Sequence, residues 1–420
     1  MNELQFPAGV SPRNILKDDT MLDPLGPIAI ISAQIEDHLA ERINRQLRLR
    51  REAYAELAPD ITEFTGYLRD DYRVDVNLSR FKSGEGKAVV WDTVRGHDLY
   101  ILTDVLYHGK TYERYSSPVT MSPDEHYNDL TRLIVATRDS ASRINVIMPY
   151  LYQGRRFRRG RRESLDCGEM LQQLFSLGID NFITFDAPDS RVANAVPYDN
   201  FESFPTSFQC LRTILQTCSD LVVDPSKMMI VAPNEVNINR SIFYASTMQL
   251  QLGIFHTKHS FDIVDGIRHE HQTLAYLGDS VAGKDILMIG DLLDNGDGLI
   301  ECASYLKAQG AKRVFCFTSF AQFTDGTSRM HQAWASGIIE RIFSTDLSYL
   351  PPTVVSAPWY TPVPMADDMA QLINALNHDA SLSQLMAPAD KIKSLIRNHK
   401  EMCQRSETVA DERQLSFYDI

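Results

Sequence analysis

Ile286-Leu287-Met288-Ile289-Gly290-Asp291-Leu292-Leu293-Asp294-Asn295-Gly296-Asp297-Gly298 is the stretch that decides the fold class. Its apolar start reads as a buried strand that ends at Asp291. A loop of Gly, Asp and Asn follows, and then a helix from about Leu299 that stops at Gly310. Strand, small-residue loop and helix N-terminus together make an anion cradle, because backbone N–H groups and the helix dipole converge there. The three carboxylates could hold a hydrated Mg²⁺ or ribose hydroxyls. A plain βα turn would use the same residues for turn and cap chemistry. A calcium hand is excluded, since its alternating ligand spacing and terminal Glu are missing.

The same rhythm extends outward. Asp98 to Leu102, Ile144 to Met148 and Phe182 to Phe185 read as strands, as do Met228 to Val231, Leu252 to Phe255 and Arg313 to Thr318. Between them lie helix-periodic segments. Ser122-Pro123-Asp124-Glu125 is a capping box with proline at the first helical position, and Tyr127, Leu130 and Ile134 then share a face. Cys167, Met170, Leu171 and Leu174 line a second helix that Gly178 stops. Alternation of this kind predicts an α/β fold with mostly parallel sheets. Ligand groups in such folds sit where strands end, which singles out Asp186 and Asp291.

With 420 residues the chain has room for two ordinary domains, and 44% hydrophobic with 23% charged residues is a globular balance. Its net charge of −13 argues against a nucleic-acid partner bound over the whole surface. Six cysteines form no C-x-x-C pair, so they read as small buried hydrophobes in a reducing compartment. No apolar run approaches a membrane span and residues 1–20 lack a signal-peptide core, so a cytoplasmic protein with no membrane partner is expected. Pro197, Asn200 and Pro205 punctuate the most evident boundary. The expected division is an extension over 1–25, an α/β domain over 26–200, a second over 201–385 and a polar tail over 386–420. Residues 50–75 read as an inserted helix.

Six arginines lie within eight positions from Arg155 to Arg162. Such a density of like charge suits a polyphosphate ligand, a solvated surface run or a nucleic-acid patch, the first being favoured by the strand just before it. His256 and His259 flank Lys258, a spacing more often structural than metal-binding. No nucleophile elbow, H-E-x-x-H pair or Walker A loop is present.

Together these segments resemble the ribose-phosphate diphosphokinase, or PRPP synthetase, family in its long form, over roughly residues 78–385. The stretch from Arg80 through Phe81 to Glu85 is similar to the family's adenine-contacting loop. Val94-Arg95-Gly96-His97-Asp98 matches its V-R-G-x-D segment. Arg155 and Arg156 stand at its ATP-binding position, and Thr184-Phe185-Asp186 at a strand end that carries a metal-site Asp. Gly290 to Gly298 occupies its PRPP loop, with Asp291, Asp294, Asn295, Gly296, Asp297 and Gly298 as the ribose-phosphate contacts. The resemblance implies two similar phosphoribosyltransferase-type domains, with ATP-side loops in the first and the ribose-phosphate loop in the second. It implies diphosphoryl transfer from ATP to ribose 5-phosphate, Mg²⁺ with ATP or ADP, and a homo-oligomer.

Departures from the family pattern cluster at the chemistry. The Lys and Arg that steady the transferring phosphoryl group correspond to Thr257 and His259. Losing one such cation typically costs roughly 10²-fold in rate. The metal-site His is Pro188, which has no lone pair to give. Gly290 replaces the first of two adjacent acids, and Asp297 brings a negative charge to the expected phosphate position. Glycines are missing from Pro233-Asn234-Glu235-Val236-Asn237. The expectation is a catalytically silenced subunit that regulates or scaffolds an active paralogue in a hetero-oligomer. Two alternatives stand beside it: an active ribose-phosphate diphosphokinase, and a nucleotide-sensing binding module.

Overall fold

Short apolar runs become the central strands, and polar segments with an apolar stripe become the helices that cover them. The computed structural model describes residues 23–34, 38–156, 161–264 and 267–415, with the backbone alone for 258–264, 267–273 and 404–415. Chain contacts divide it into two units. The first holds the chain up to Phe204 together with Leu347–Tyr349 and Met365–Met386; the second holds Pro205–Asp346, Leu350–Pro364 and the chain from Ala387 on. Where one continuous second domain was expected over 201–385, the chain thus returns twice to the first unit.

The first unit opens with β1 (Ile28–Ser32), α1 (His38–Leu57), the hairpin β2 (Val76–Arg80) and β3 (Gly86–Val90), and β4 (Asp98–Leu102). A second hairpin, β5 (Thr111–Arg114) and β6 (Ser117–Thr120), precedes α2 (Pro123–Thr137). Then come β7 (Arg143–Ile147), α3 (Asp166–Ser176), β8 (Asn181–Phe185) and β9 (Asn200–Phe204). Five strands form a parallel sheet in the order β1-β4-β7-β8-β9. The capping box is made as expected: Glu125 N–H donates to Ser122 Oγ at 3.3 Å, and Ser122 N–H to Glu125 Oε2 at 2.8 Å.

Residues 50–75 are not an inserted helix. Helix α1 ends at Leu57, and the segment after it wraps a buried cation. Arg51 is fully buried, with its guanidinium 4.3 Å from the Tyr67 ring centre and 5.4 Å from that of Tyr72. It donates to Tyr67 O at 3.0 Å and Asn374 Oδ1 at 3.1 Å, and also to Asn377 Oδ1. Neutral acceptors and ring faces hold the charge, and burial lowers its pKa.

The second unit holds α4 (Ser207–Thr217), β10 (Met228–Ala232), α5 (Ile238–Met248), β11 (Gln251–Val264), β12 (Ile267–Leu277) and β13 (Asp285–Leu293). It continues through α6 (Asp297–Ala308), β14 (Arg313–Ala321), α7 (Ser328–Ala335), β15 (Arg341–Thr345), α8 (Pro352–Val355) and β16 (Tyr360–Val363). Helices α9 (Ala366–Asn377) and α10 (Ser383–Met386) return to the first unit, and α11 (Ala389–Leu415) closes the second. The segment expected to be a polar tail is therefore helical: its Ile392 and Ile396 are buried, and it packs on α4 and α5.

Seven strands form the second sheet in the order β12-β11-β10-β13-β14-β15-β16, parallel except for the β11–β12 hairpin. That hairpin extends well beyond the expected Leu252 to Phe255 strand. Similarly, β13 runs past Asp291 to Leu293. Apolar side chains of both sheets fill the cores, including Phe182 and Ile183 in the first unit and Ile286, Met288 and Phe317 in the second.

Candidate functional site

Strand order locates a topological switch point in the second unit. From β10 the chain moves to β11 on one side, and it later returns to place β13 on the other. A reversal of this kind opens a gap outside the carboxyl ends of the two strands, where ligands of open α/β sheets bind. The two segments that leave β10 and β13 there are Pro233 to Asn237 and Asp294 to Gly298, the second continuing the stretch that opens at Gly290 within β13. Sequence and topology thus point to the same loop.

Within that loop the polar groups bond chiefly to nearby protein groups. Asp291 is buried, and its Oδ1 accepts from Leu292 N–H at 2.7 Å. Asp294 Oδ1 accepts from Thr324 Oγ1 at 2.7 Å, and Asn295 Nδ2 donates to Asp325 Oδ2 at 3.1 Å. Asn295 Oδ1 takes the Asp297 N–H, the first donor of α6, at 3.1 Å. Asp297 is ion-paired with Arg329 of α7, so the negative charge expected beside the phosphate position has a cationic partner. Gly296 has φ 89°, a left-handed conformation natural to glycine, and a Cβ there would lie 2.6 Å from Met330 Cε. Gly298 has open space on its Cβ side.

Gly290 occupies the position of an acid in the family pattern. A Cβ there would meet Thr318 Cγ2 at 2.8 Å, so β14 has filled the room a side chain needs. Thr257 lies on β11, and its N–H donates to Glu235 Oε1 at 2.9 Å. A carboxylate therefore touches the backbone where the resemblance puts the first cation. The side chains of Lys258 and His259 lie outside the described residues.

Arg240 was missed by the sequence reading. It stands in the first turn of α5, donates to Gly290 O at 3.3 Å and also bonds Ser319 Oγ. A cation there opposes the helix dipole by roughly 0.3–1 kcal/mol, and that misfit was the available signal of a tertiary role. Its bonds tie the carboxyl ends of β13 and β14 together.

The nucleotide-side candidates all belong to the first unit. Phe81 and Glu85 close the β2–β3 hairpin, where Phe81 N–H donates to Glu85 O at 2.9 Å and Ser83 Oγ to Glu85 Oε2 at 2.9 Å. Arg80 anchors this hairpin to α2 through two 2.7 Å bonds to Asp129, both side chains being buried. Phe81 is 54% exposed, so it has a surface to offer. Arg155 and Arg156 are exposed beyond β7, and Arg156 N–H donates to Gln153 O at 2.7 Å. Phe157 to Gly160 lie outside the described residues.

Asp186 follows β8 with φ 47°, a left-handed conformation that Asp tolerates better than most residues, and its N–H donates to Phe204 O at 2.9 Å. Mg²⁺ bound through substrate phosphates needs only one or two carboxylates, which Asp186 could supply in part. Ala187 and Pro188 have no side-chain donor to add. Among the described residues no group of three or more His, Cys, Asp or Glu is placed to hold a metal. Nor is any described helix long and apolar enough to cross a membrane. Cys167, Cys210, Cys302 and Cys316 are buried, while Cys218 and Cys403 are intermediate. Burial pushes the thiols of Cys167 and Cys302 up to about 12.

Residues 28–178 match the family model of the N-terminal domain of ribose phosphate pyrophosphokinase. A ribose-phosphate pyrophosphokinase of Pasteurella multocida is 25% identical over 349 residues, covering 78% of this chain and 99% of its own length. One from Thermosipho africanus is 26% identical over 298 residues, covering 70% of this chain and 83% of its own. The solved phosphoribosylpyrophosphate synthetase of Mycobacterium smegmatis superposes with a TM-score of 0.65 at 16% identity, over 84% of this chain and all of that one. The two sheets with their helices are therefore a fold of the phosphoribosyltransferase type.

Proposed function

We infer that the chain is a ribose-phosphate pyrophosphokinase family protein held for assembly and ligand binding rather than for turnover, in the service of nucleotide biosynthesis. The observation that carries this reading is Glu235. Its carboxylate receives the Thr257 N–H at 2.9 Å, in the neighbourhood where the family pattern calls for a lysine. Diphosphoryl transfer relies on positive charge to steady the reacting oxygens. A carboxylate about 4 Å from a phosphate oxygen instead repels it by roughly 1–4 kcal/mol, depending on the local dielectric. Gly290, closed in by Thr318, and Pro188 support the same conclusion from two other positions.

Assembly with an active paralogue gives such a subunit a role, since a family fold can bring its contacts to a complex without its chemistry. Nucleotide sensing is the second reading. It is favoured by the exposed Phe81 on a firmly anchored hairpin and by the exposed Arg155 and Arg156, which would take the base and the phosphates of ATP or ADP.

The test is steady-state AMP formation from ATP, Mg²⁺ and ribose 5-phosphate. Purified protein is expected to give no AMP above a protein-free control, and Asp291→Ala to leave that baseline unchanged. AMP at rates ordinary for a kinase, about 1–100 s⁻¹, with loss on Asp291→Ala, would establish the active enzyme instead.

A further inference from the structure

A buried polar chain at the carboxyl ends of β1 and β4 belongs to none of the functions above. Gln34, Asp104 and His126 are each at least 95% buried. Gln34 Oε1 accepts from the Asp104 N–H at 2.8 Å, which fixes which way the amide faces. Gln34 Nε2 lies 3.2 Å from His126 Nδ1, and His126 Nε2 lies 2.7 Å from Tyr107 O. A carbonyl only accepts, so the imidazole proton sits on Nε2 and Nδ1 must accept from Gln34. Only the neutral ring satisfies all three contacts. Asp104 then spreads the order further: Oδ1 accepts from Leu106 N–H at 2.9 Å and Oδ2 from Tyr349 N–H at 2.8 Å.

We propose that His126, Gln34 and Asp104 form a proton-sensitive relay that holds the loop following β4 closed while His126 is neutral and releases it on acidification. A proton on Nδ1 turns an acceptor into a donor facing the Gln34 NH₂. Gln34 can offer Nδ1–H an acceptor in place by flipping its amide, and the flip sets its NH₂ against the Asp104 N–H. Asp104 loses one of the bonds that seat it, and its hold on Leu106 and Tyr349 loosens. The released loop lies at the carboxyl end of the sheet, the side from which ligands approach an α/β domain.

The groups facing the ring are known. Tyr107 presents its ring edge-on at 6.1 Å. Asp129 and Glu125 on the same helix favour the charged form and Arg80 on β2 opposes it, but burial outweighs them and lowers the His126 pKa from its ordinary 6.5. The closed state thus refuses a proton that the opened state accepts. Stability of the closed loop is full above the ordinary histidine range and is lost as pH falls through about 6.5 toward the lowered value.

Amide hydrogen exchange followed by NMR on the full chain tests this. The protection factors of Asp104, Leu106 and Tyr349, corrected for intrinsic rates, are expected to fall about tenfold between pH 7.5 and 5.5, while that of Ile101 stays constant. His126→Gln keeps an acceptor for Gln34 and a donor for Tyr107 O but cannot titrate, so its protection is expected to be flat. A flat profile in the native chain, or a tenfold fall that persists in the variant, overturns the proposal. Should the variant not fold, the ring nitrogen spectrum of the native protein decides: Nε2–H with bare Nδ1 at pH 7.5 is required, and Nδ1–H contradicts it.

Discussion

Each unit carries the same device at the amino ends of two paired strands, and the two copies differ in the partners around them. In the first unit Asp98 opens β4, Arg143 opens β7, and the two are register partners. In the second, Asp285 opens β13, Arg313 opens β14, and they too are register partners. Both pairs are bidentate, at 2.8 and 2.8 Å in the first unit and 2.9 and 2.8 Å in the second. Asp98 also accepts from Tyr100, Asn145 and Asn377, whereas Arg313 reaches out to the exposed Asp220. Amino ends of parallel strands serve stability, and there the two units still agree. Carboxyl ends serve ligands in folds of this kind, and there the second unit bonds Asp294 to Thr324, Asn295 to Asp325 and Asp297 to Arg329.

The different partners of the two pairs predict unequal costs. Asp98→Ala removes the carboxylate that Arg143, Asn145 and Asn377 share and leaves them the carbonyls of Leu376, Leu99 and Gly26, so that the part-buried Arg143 charge loses its counter-ion; it should destabilise the first unit by about 3–5 kcal/mol. Asp285→Ala leaves Arg313 its bond to Asp220, and should cost the second unit about 1–3 kcal/mol. Denaturant titrations followed by hydrogen exchange in each unit separate the two effects. Equal losses would break the comparison, because the extra partners of Asp98 would then carry no weight.

The smallest expected effect concerns the Asp297–Arg329 pair, which is largely solvent-exposed. Arg329→Ala should change the stability of the second unit by no more than about 1 kcal/mol and lose even that in high salt. A larger, salt-independent loss would mean that the loop needs this bond to hold its shape, and would sharpen the contrast with the buried pairs at the other end of the sheet.

Much of this frame was legible in the sequence. Asp98 to Leu102 is β4 as expected, because five residues that must all be buried leave little freedom. The capping box and Gly178 marked helix ends through local chemistry alone. The turn between β13 and α6 was legible as well, since small residues between a strand and a helix mark such a turn. What escaped depends on distance along the chain. Arg51 looked like one more charge in a polar segment until Asn374 and Asn377, more than 300 positions away, closed over it. Helix α11 looked like a tail because its polar residues outnumber the Ile392 and Ile396 that dock it. The Glu235 bond to Thr257 joins a loop to the middle of a strand, and no local pattern announces it.

A single-turnover experiment bears most directly on the central claim. Protein in excess over ATP labelled at its β-phosphate is mixed with Mg²⁺ and saturating ribose 5-phosphate, and the label is followed for an hour. The account predicts that the label stays in ATP, as it does without protein. Label appearing in a pyrophosphorylated sugar, in step with AMP, would contradict it.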